Sequence, residues 1–232
     1  MSARYEELAW AATPMGEVSL RRRFDLTLRA DVHEVRLGEE FLMSSAFVVA
    51  EEELAHLGLA AAAATGDGLD VVVGGLGLGY TAAAALADPR VASLRVVDAL
   101  PAVVDWHEQG LLPLSAGMND DPRCRYVRGD FFALAASGGL GDPDVVLLDV
   151  DHSPRHVLDP GHAAFYTPGG VAGLAAQLPA GGVFALWSDD PPDEDLLVVL
   201  REPFATARGE VVAFPNPFTG GESTNSVLVA VR

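Results

Sequence analysis

Four stretches of this 232-residue chain carry residue types at spacings that suit chemistry, and three of them suit the same ligand. Residues 70–80, DVVVGGLGLGY, run an apolar segment into Gly74, Gly75, Gly77 and Gly79. Glycines at such a point let the backbone turn tightly and come close to a ligand, and a helix starting directly after them offers unpaired N–H groups. Asp98 ends the next apolar run, where a carboxylate accepts hydrogen bonds from both hydroxyls of a ribose. A third run ends in Gly129-Asp130-Phe131. There Asp130 suits the amino group of an adenine and Phe131 the face of its ring, although Asp130 equally suits the N-cap of the helix that follows. The fourth stretch, VVLLDVDHSPRH at residues 145–156, places Asp149 at a strand end, where a nucleophile would approach the ligand's reacting end. Asp151 and His152 follow within three residues.

The elements that must position these groups follow from hydrophobic pattern. Residues 15–47 read as two or three short antiparallel strands, with Val18 and Leu20, then Val32, Val35 and Leu37, alternating with polar neighbours. Residues 48–64 read as a helix with Glu51, Glu52 and Glu53 near its positive end, followed by a turn at Gly66–Gly68. Beyond it, short continuous apolar runs alternate with helical segments: strands near residues 69–75, 94–97, 125–127, 144–148 and 181–188, helices at 81–87, 101–109, 131–136, 170–178 and 193–201. That order implies a parallel, doubly wound, Rossmann-like α/β sheet with helices on both faces. Two last strands, 210–214 and 226–231, have only a loop between them and should be antiparallel neighbours, which completes a seven-stranded mixed sheet. The chain thus divides into a small N-terminal β extension, residues 1–47, and one α/β domain, residues 48–232.

With three strand ends addressed to one nucleoside, the chain resembles the class I S-adenosylmethionine-dependent methyltransferase superfamily and, within it, the spermidine synthase (polyamine aminopropyltransferase) family. The resemblance rests on VVVGGLGLGY, on SLRVVDALPAVVDWHEQGLLPL through DDPRCRYVRGDFFAL, on DVVLLDVDHSP, on PAGGVFALWS and on the closing PNPFTGGESTNSVLVAVR. It implies S-adenosylmethionine or its decarboxylated form as cofactor, an amine-type small molecule as acceptor, and transfer of an aminopropyl or methyl group. By this resemblance Asp149 matches the acid that orients and deprotonates the attacking amine. An NAD-dependent dehydrogenase is the natural competitor, but it uses GxGxxG near its N-terminus, whereas GxGxG and the Gly-Asp pair after strand three favour a sulfonium cofactor. Three departures set the chain apart from ordinary spermidine synthases. His152 stands where a second acid is expected, Gly77 replaces the acid of the glycine loop, and the amine-binding Tyr-His pair is reduced to Ala55 and His56. A non-catalytic cofactor-binding scaffold is the alternative that those departures support.

The remaining polar groups have two readings each. His152 suits a general base, a substrate contact or loop packing. Tyr166 and Trp187 suit a pocket wall or ordinary core. Asp189 and Asp190 suit attraction of a cationic amine or a solvated loop. The spacing of His152, His156 and His162 matches no zinc pattern, so no metal is expected. A formal net charge of −18 argues against nucleic acid and anionic membrane as partners. The single cysteine, Cys124, excludes an intrachain disulfide, and no apolar signal core opens the chain. A cytoplasmic protein is expected, and the edge that the N-terminal strands offer suits a homodimer.

Overall fold

A computed structural model describes residues 5–14, 16–62 and 68–232. Met15, the end of the expected first helix (residues 63–64) and Gly66 of the expected turn lie outside the described residues.

The N-terminal region forms a four-stranded antiparallel meander: β1 (Tyr5–Thr13), β2 (Gly16–Asp25), β3 (Ala30–Leu37) and β4 (Glu40–Ser44). It has one strand more than expected. β1 escaped the hydrophobic pattern because it is an edge strand held partly by charge, with Glu6 paired to Arg22 at 2.5 Å across the β1–β2 ladder. On β2, Val18 and Leu20 are buried while Arg22 and Phe24 on the same strand reach the rim.

Helix α1 (Val49–Ala61) leads into the main sheet, built from β5 (Leu69–Gly74), β6 (Val91–Asp98), β7 (Cys124–Arg128), β8 (Val145–Leu148), β9 (Val183–Ser188), β10 (Thr206–Asn216) and β11 (Gly221–Val231). Its order is β10-β11-β9-β8-β5-β6-β7, parallel from β9 to β7 and antiparallel for the last two strands, as the sequence pattern anticipated. The fold class is therefore the Rossmann-like α/β architecture with a seven-stranded mixed sheet and a small β extension. Alternate residues of the central strands face opposite layers: Val71, Val73, Val145 and Leu147 pack on one side, Val72, Val146 and Leu148 on the other. The first layer holds α1, α2 (Tyr80–Ala87) and α3 (Pro101–Glu108); the second holds α5 (Phe131–Ser137), α6 (Pro168–Ala175) and α7 (Glu194–Leu200). A short α4 (Ser115–Asp120) and a 3-10 turn (Pro160–Ala164) had no pattern to announce them. The expected loop at 215–225 is instead mostly hairpin: β10 and β11 pair from Thr206↔Val231 out to Asn216↔Gly221. Pro215 is tolerated because β10 is the sheet's edge.

Val18, Leu20 and Val35 belong to the same buried cluster as Leu54, Leu59 and Val71, so the β extension shares the core of the main domain. Leu20→Ala should therefore cost about 2–5 kcal/mol in global stability, seen as one cooperative transition in denaturant unfolding.

Candidate active site

Parallel pairing of β5 with β8 sets the site. The Asp149 amide donates to the Gly74 carbonyl at 2.7 Å and the Gly75 amide to the Val97 carbonyl at 2.9 Å, so three strand ends are tied together. Gly75 has φ +94°, and any Cβ there would strike the Asp149 carbonyl oxygen. Gly77 has φ +46°, and the place of its Cβ is taken by the Met43 sulfur from β4. That sulfur accepts the Leu78 N–H at 2.8 Å. Behind the loop the His107 Nε2–H donates to the Gly77 carbonyl at 2.9 Å, while its Nδ1 accepts from the Ser115 hydroxyl at 3.2 Å. Burial lowers the His107 pKa, which suits this neutral ring.

The strand ends open into a cavity of about 710 Å³. Of the four loop glycines, Gly75 and Gly77 line it. A Cβ on Gly74 would collide with the Phe131 ring and one on Gly79 with the Met118 methyl, so these two serve close packing behind the wall. Asp98 lines the cavity at the tip of β6; its Oδ2 accepts the Leu76 N–H at 2.9 Å and its Oδ1 the Leu100 N–H at 2.8 Å. The Gly77 amide hydrogen-bonds the same carboxylate, which leaves it with acceptor capacity for about one further donor. Desolvation raises the Asp98 pKa against those amide bonds. Asp130 both caps α5, accepting from Phe132 N–H at 2.8 Å and Ala133 N–H at 3.3 Å on Oδ1, and lines the cavity beside Phe131. Gly129 precedes it without being part of the wall.

Beside Asp149 stands a group that sequence reasoning read only as a helix-dipole residue. Glu51, on α1 and 9% exposed, shares the cavity wall with Asp149. Burial and then the Asp149 charge push the Glu51 carboxyl up to about 8. Burial raises Asp149 to about 6, opposed by the Thr81 hydroxyl, which donates to its Oδ2 at 2.7 Å. Burial and mutual repulsion thus favour a shared proton on the pair. His152 lines the same chamber, with its Nε2 3.3 Å from Glu40 Oε1 on β4, and Trp187 closes another side. Val35, Leu42 and Met43 complete the wall, so the β extension is part of the site.

Besides Gly74, Gly79 and Gly129, three expected site residues are not in this wall. Asp151 is fully buried and accepts from Leu158 N–H at 2.8 Å, His162 Nδ1–H at 2.7 Å and the Tyr166 hydroxyl at 2.8 Å. Tyr166 is thus turned toward Asp151 and away from the cavity. Asp189 is exposed and accepts from Asn225 Nδ2 at 2.7 Å. His162, by contrast, does line the cavity. No lysine or arginine is among the lining residues.

Neither family models nor the curated proteins give a sequence match to this chain. Solved structures do. The spermidine synthase from Thermotoga maritima superposes with a TM-score of 0.73 at 18% identity, over 97% of this chain and 72% of its own. The chain has the spermidine synthase fold. A spermidine synthase solved in complex with the transition-state analogue AdoDATO agrees, with a TM-score of 0.72 at 18% identity and the same coverage. No helix among the described residues is long and apolar enough to cross a membrane.

The raised Glu51 and Asp149 carboxyls have a stability consequence. Each is favoured neutral in the folded state, so its contribution is undiminished below its unfolded pKa and is lost as pH rises toward about 8 for Glu51 and about 6 for Asp149. Glu51→Gln should flatten the decline of the melting temperature between pH 5 and pH 8, and should raise it by about 3 °C or more at pH 8. Thermal scans across that range measure both.

Proposed function

We propose that this protein is a spermidine synthase-like transferase that binds decarboxylated S-adenosylmethionine and alkylates an amine-type small molecule. The single observation that carries the reading is the charge of the cavity. Its wall holds Glu51, Asp98, Asp130, Asp149 and Asp159, with no lysine or arginine among the lining residues. The decarboxylated cofactor has an ammonium and a sulfonium and no carboxylate, so it matches this wall. The carboxylate of S-adenosylmethionine itself would be desolvated there without a cation to pair with. A solved protein of the same fold is described with the transition-state analogue AdoDATO, which supports the assignment by analogy of architecture.

The residues present fit such a group. Gly75 and Gly77 give backbone with no side chain facing the cavity, Asp98 keeps room to accept from a ribose hydroxyl beside its three backbone amides, and Asp130 with Phe131 stands at the next strand tip for a base. When bound, the sulfonium supplies an electrophilic carbon whose bond to sulfur breaks with its electron pair, leaving a neutral thioether. Asp149, ionised above about pH 6, orients the amine and takes the proton its nitrogen sheds as the carbon–nitrogen bond forms. Glu51 supplies a second carboxyl that loses its proton when a cation enters and so strengthens the attraction. His152, held toward Glu40, borders the acceptor side.

Methyl transfer from S-adenosylmethionine is the second reading, and one observation favours it. The site of the missing loop acid, Gly77, is covered by the Met43 thioether, so no carboxylate grips an aminopropyl ammonium from that side.

Calorimetry separates these readings. The decarboxylated cofactor should bind at least about tenfold more tightly than S-adenosylmethionine, the reverse order supporting methyl transfer. With a panel of amines, product analysis should show alkylation, and Asp149→Asn should lower turnover by about 10²–10⁴ while leaving cofactor affinity within a few fold. Cofactor binding without any product across the panel would point to a scaffold.

A further inference from the structure

We propose that His162 reads the six-position of the purine in the bound nucleoside, through its Nε2, which has no partner among the described residues. This rests on the nucleoside reading of the cavity given above.

His162 sits on the 3-10 turn Pro160–Ala164, whose start is fixed by Asp159 Oδ1 accepting the Gly161 N–H at 2.7 Å. Two independent constraints hold its imidazole. In the ring plane, Nδ1 lies 2.7 Å from Asp151 Oδ1. Asp151 already accepts from the Leu158 amide and the Tyr166 hydroxyl and has no exposed surface, so it acts as acceptor and Nδ1 carries the proton between them. Across the ring plane, Phe132 stacks at a centroid distance of 3.9 Å with 21° between planes. A histidine braced by a buried carboxylate on one nitrogen has its other nitrogen aimed in a fixed direction. Nε2 has no hydrogen-bond partner among the described residues, and the side chain keeps 13% of its surface exposed while lining the cavity.

Its place in the cavity says which part of a ligand it meets. The relevant strand tips run in the order β8, β5, β6, β7, carrying Asp149, Gly75, Asp98 and, just beyond β7, Asp130. A nucleoside with its 5′ substituent at Asp149 and its ribose at Asp98 directs its base toward Asp130 and Phe132. Asp130 holds Phe132 from one side through its amide, and His162 covers the ring of Phe132 from another. A base entering there desolvates Nε2, and a purine edge that does not match it leaves that nitrogen unpaired. Asp151, expected from the sequence to act at the reacting end, is on this account a positioning residue for His162.

The test is calorimetry with three probes that differ at the purine six-position, the oxo compound also carrying a proton on N1: 5′-methylthioadenosine, its 6-oxo inosine counterpart and its 6-unsubstituted counterpart. The wild-type protein should separate the best from the worst by about tenfold or more. His162→Phe keeps a ring to stack on Phe132 but has no nitrogen, and should shrink the separation by at least about threefold, Asp130 remaining at the same end of the cavity. His162→Gln should shift the ratios without levelling them, and serves if the Phe variant does not fold. Asp151→Asn should reduce the separation with His162 still present. A purely packing role for His162 would lower all three affinities together, and unchanged ratios in His162→Phe would overturn the proposal. If the wild-type protein binds none of the three probes, the nucleoside reading itself fails. If it binds all three equally, only the role of His162 fails.

Discussion

The carbonyl oxygen of Asp149 occupies the space that a side chain on residue 75 would need, and the rest of the site depends on that contact. Only a glycine with positive φ lets β5 leave the sheet so close beside β8. Because the two strands run in parallel register from Val71↔Val145 to Gly74↔Leu148, their tips end level. The loop after β5 then curves under the tip of β6, where Asp98 catches the Leu76 amide, and α2 starts with Thr81 aimed at Asp149. A glycine loop of this kind is more than a gap for a ligand. It is the hinge that brings a backbone cradle and two strand-tip carboxylates, Asp98 and Asp149, into one chamber.

Electrostatics gives that chamber its character. Carboxyls from α1 and from the tip of β8 are withdrawn from water on the same wall, and they cannot both ionise cheaply without a cation between or beside them. Burial therefore favours a proton kept on the pair. A cationic ligand removes the reason for keeping it, so binding free energy and proton release are coupled in the same two side chains.

Much of this was legible in the sequence, and the limits have physical causes. The buried strands announced themselves as continuous apolar runs, and the turn residues behind each tip, Gly75, Asp98, Asp130 and Asp149, were found by position alone. Glu51 was visible but read as a helix-dipole residue, because the sequence pattern does not say that α1 lays its first turn across the end of β8. Met43 could not be foreseen over Gly77, since β4 belongs to a meander whose register with the main domain no periodicity encodes. Asp151 drew attention by being next but one to Asp149. Its three donors come from a loop and a 3-10 turn between residues 158 and 166, and only their convergence shows that it anchors that loop. β1 was missed because an edge strand paired through charge lacks apolar alternation, and the β10–β11 hairpin was cut short because Pro215 and the nearby glycines read as loop.

The most direct measurement is the number of protons exchanged when decarboxylated S-adenosylmethionine binds near pH 7, from calorimetry in buffers of differing ionisation enthalpy. The account predicts release of up to about one proton per site, abolished in Glu51→Gln. Binding with no proton released, or no binding at all, would contradict it.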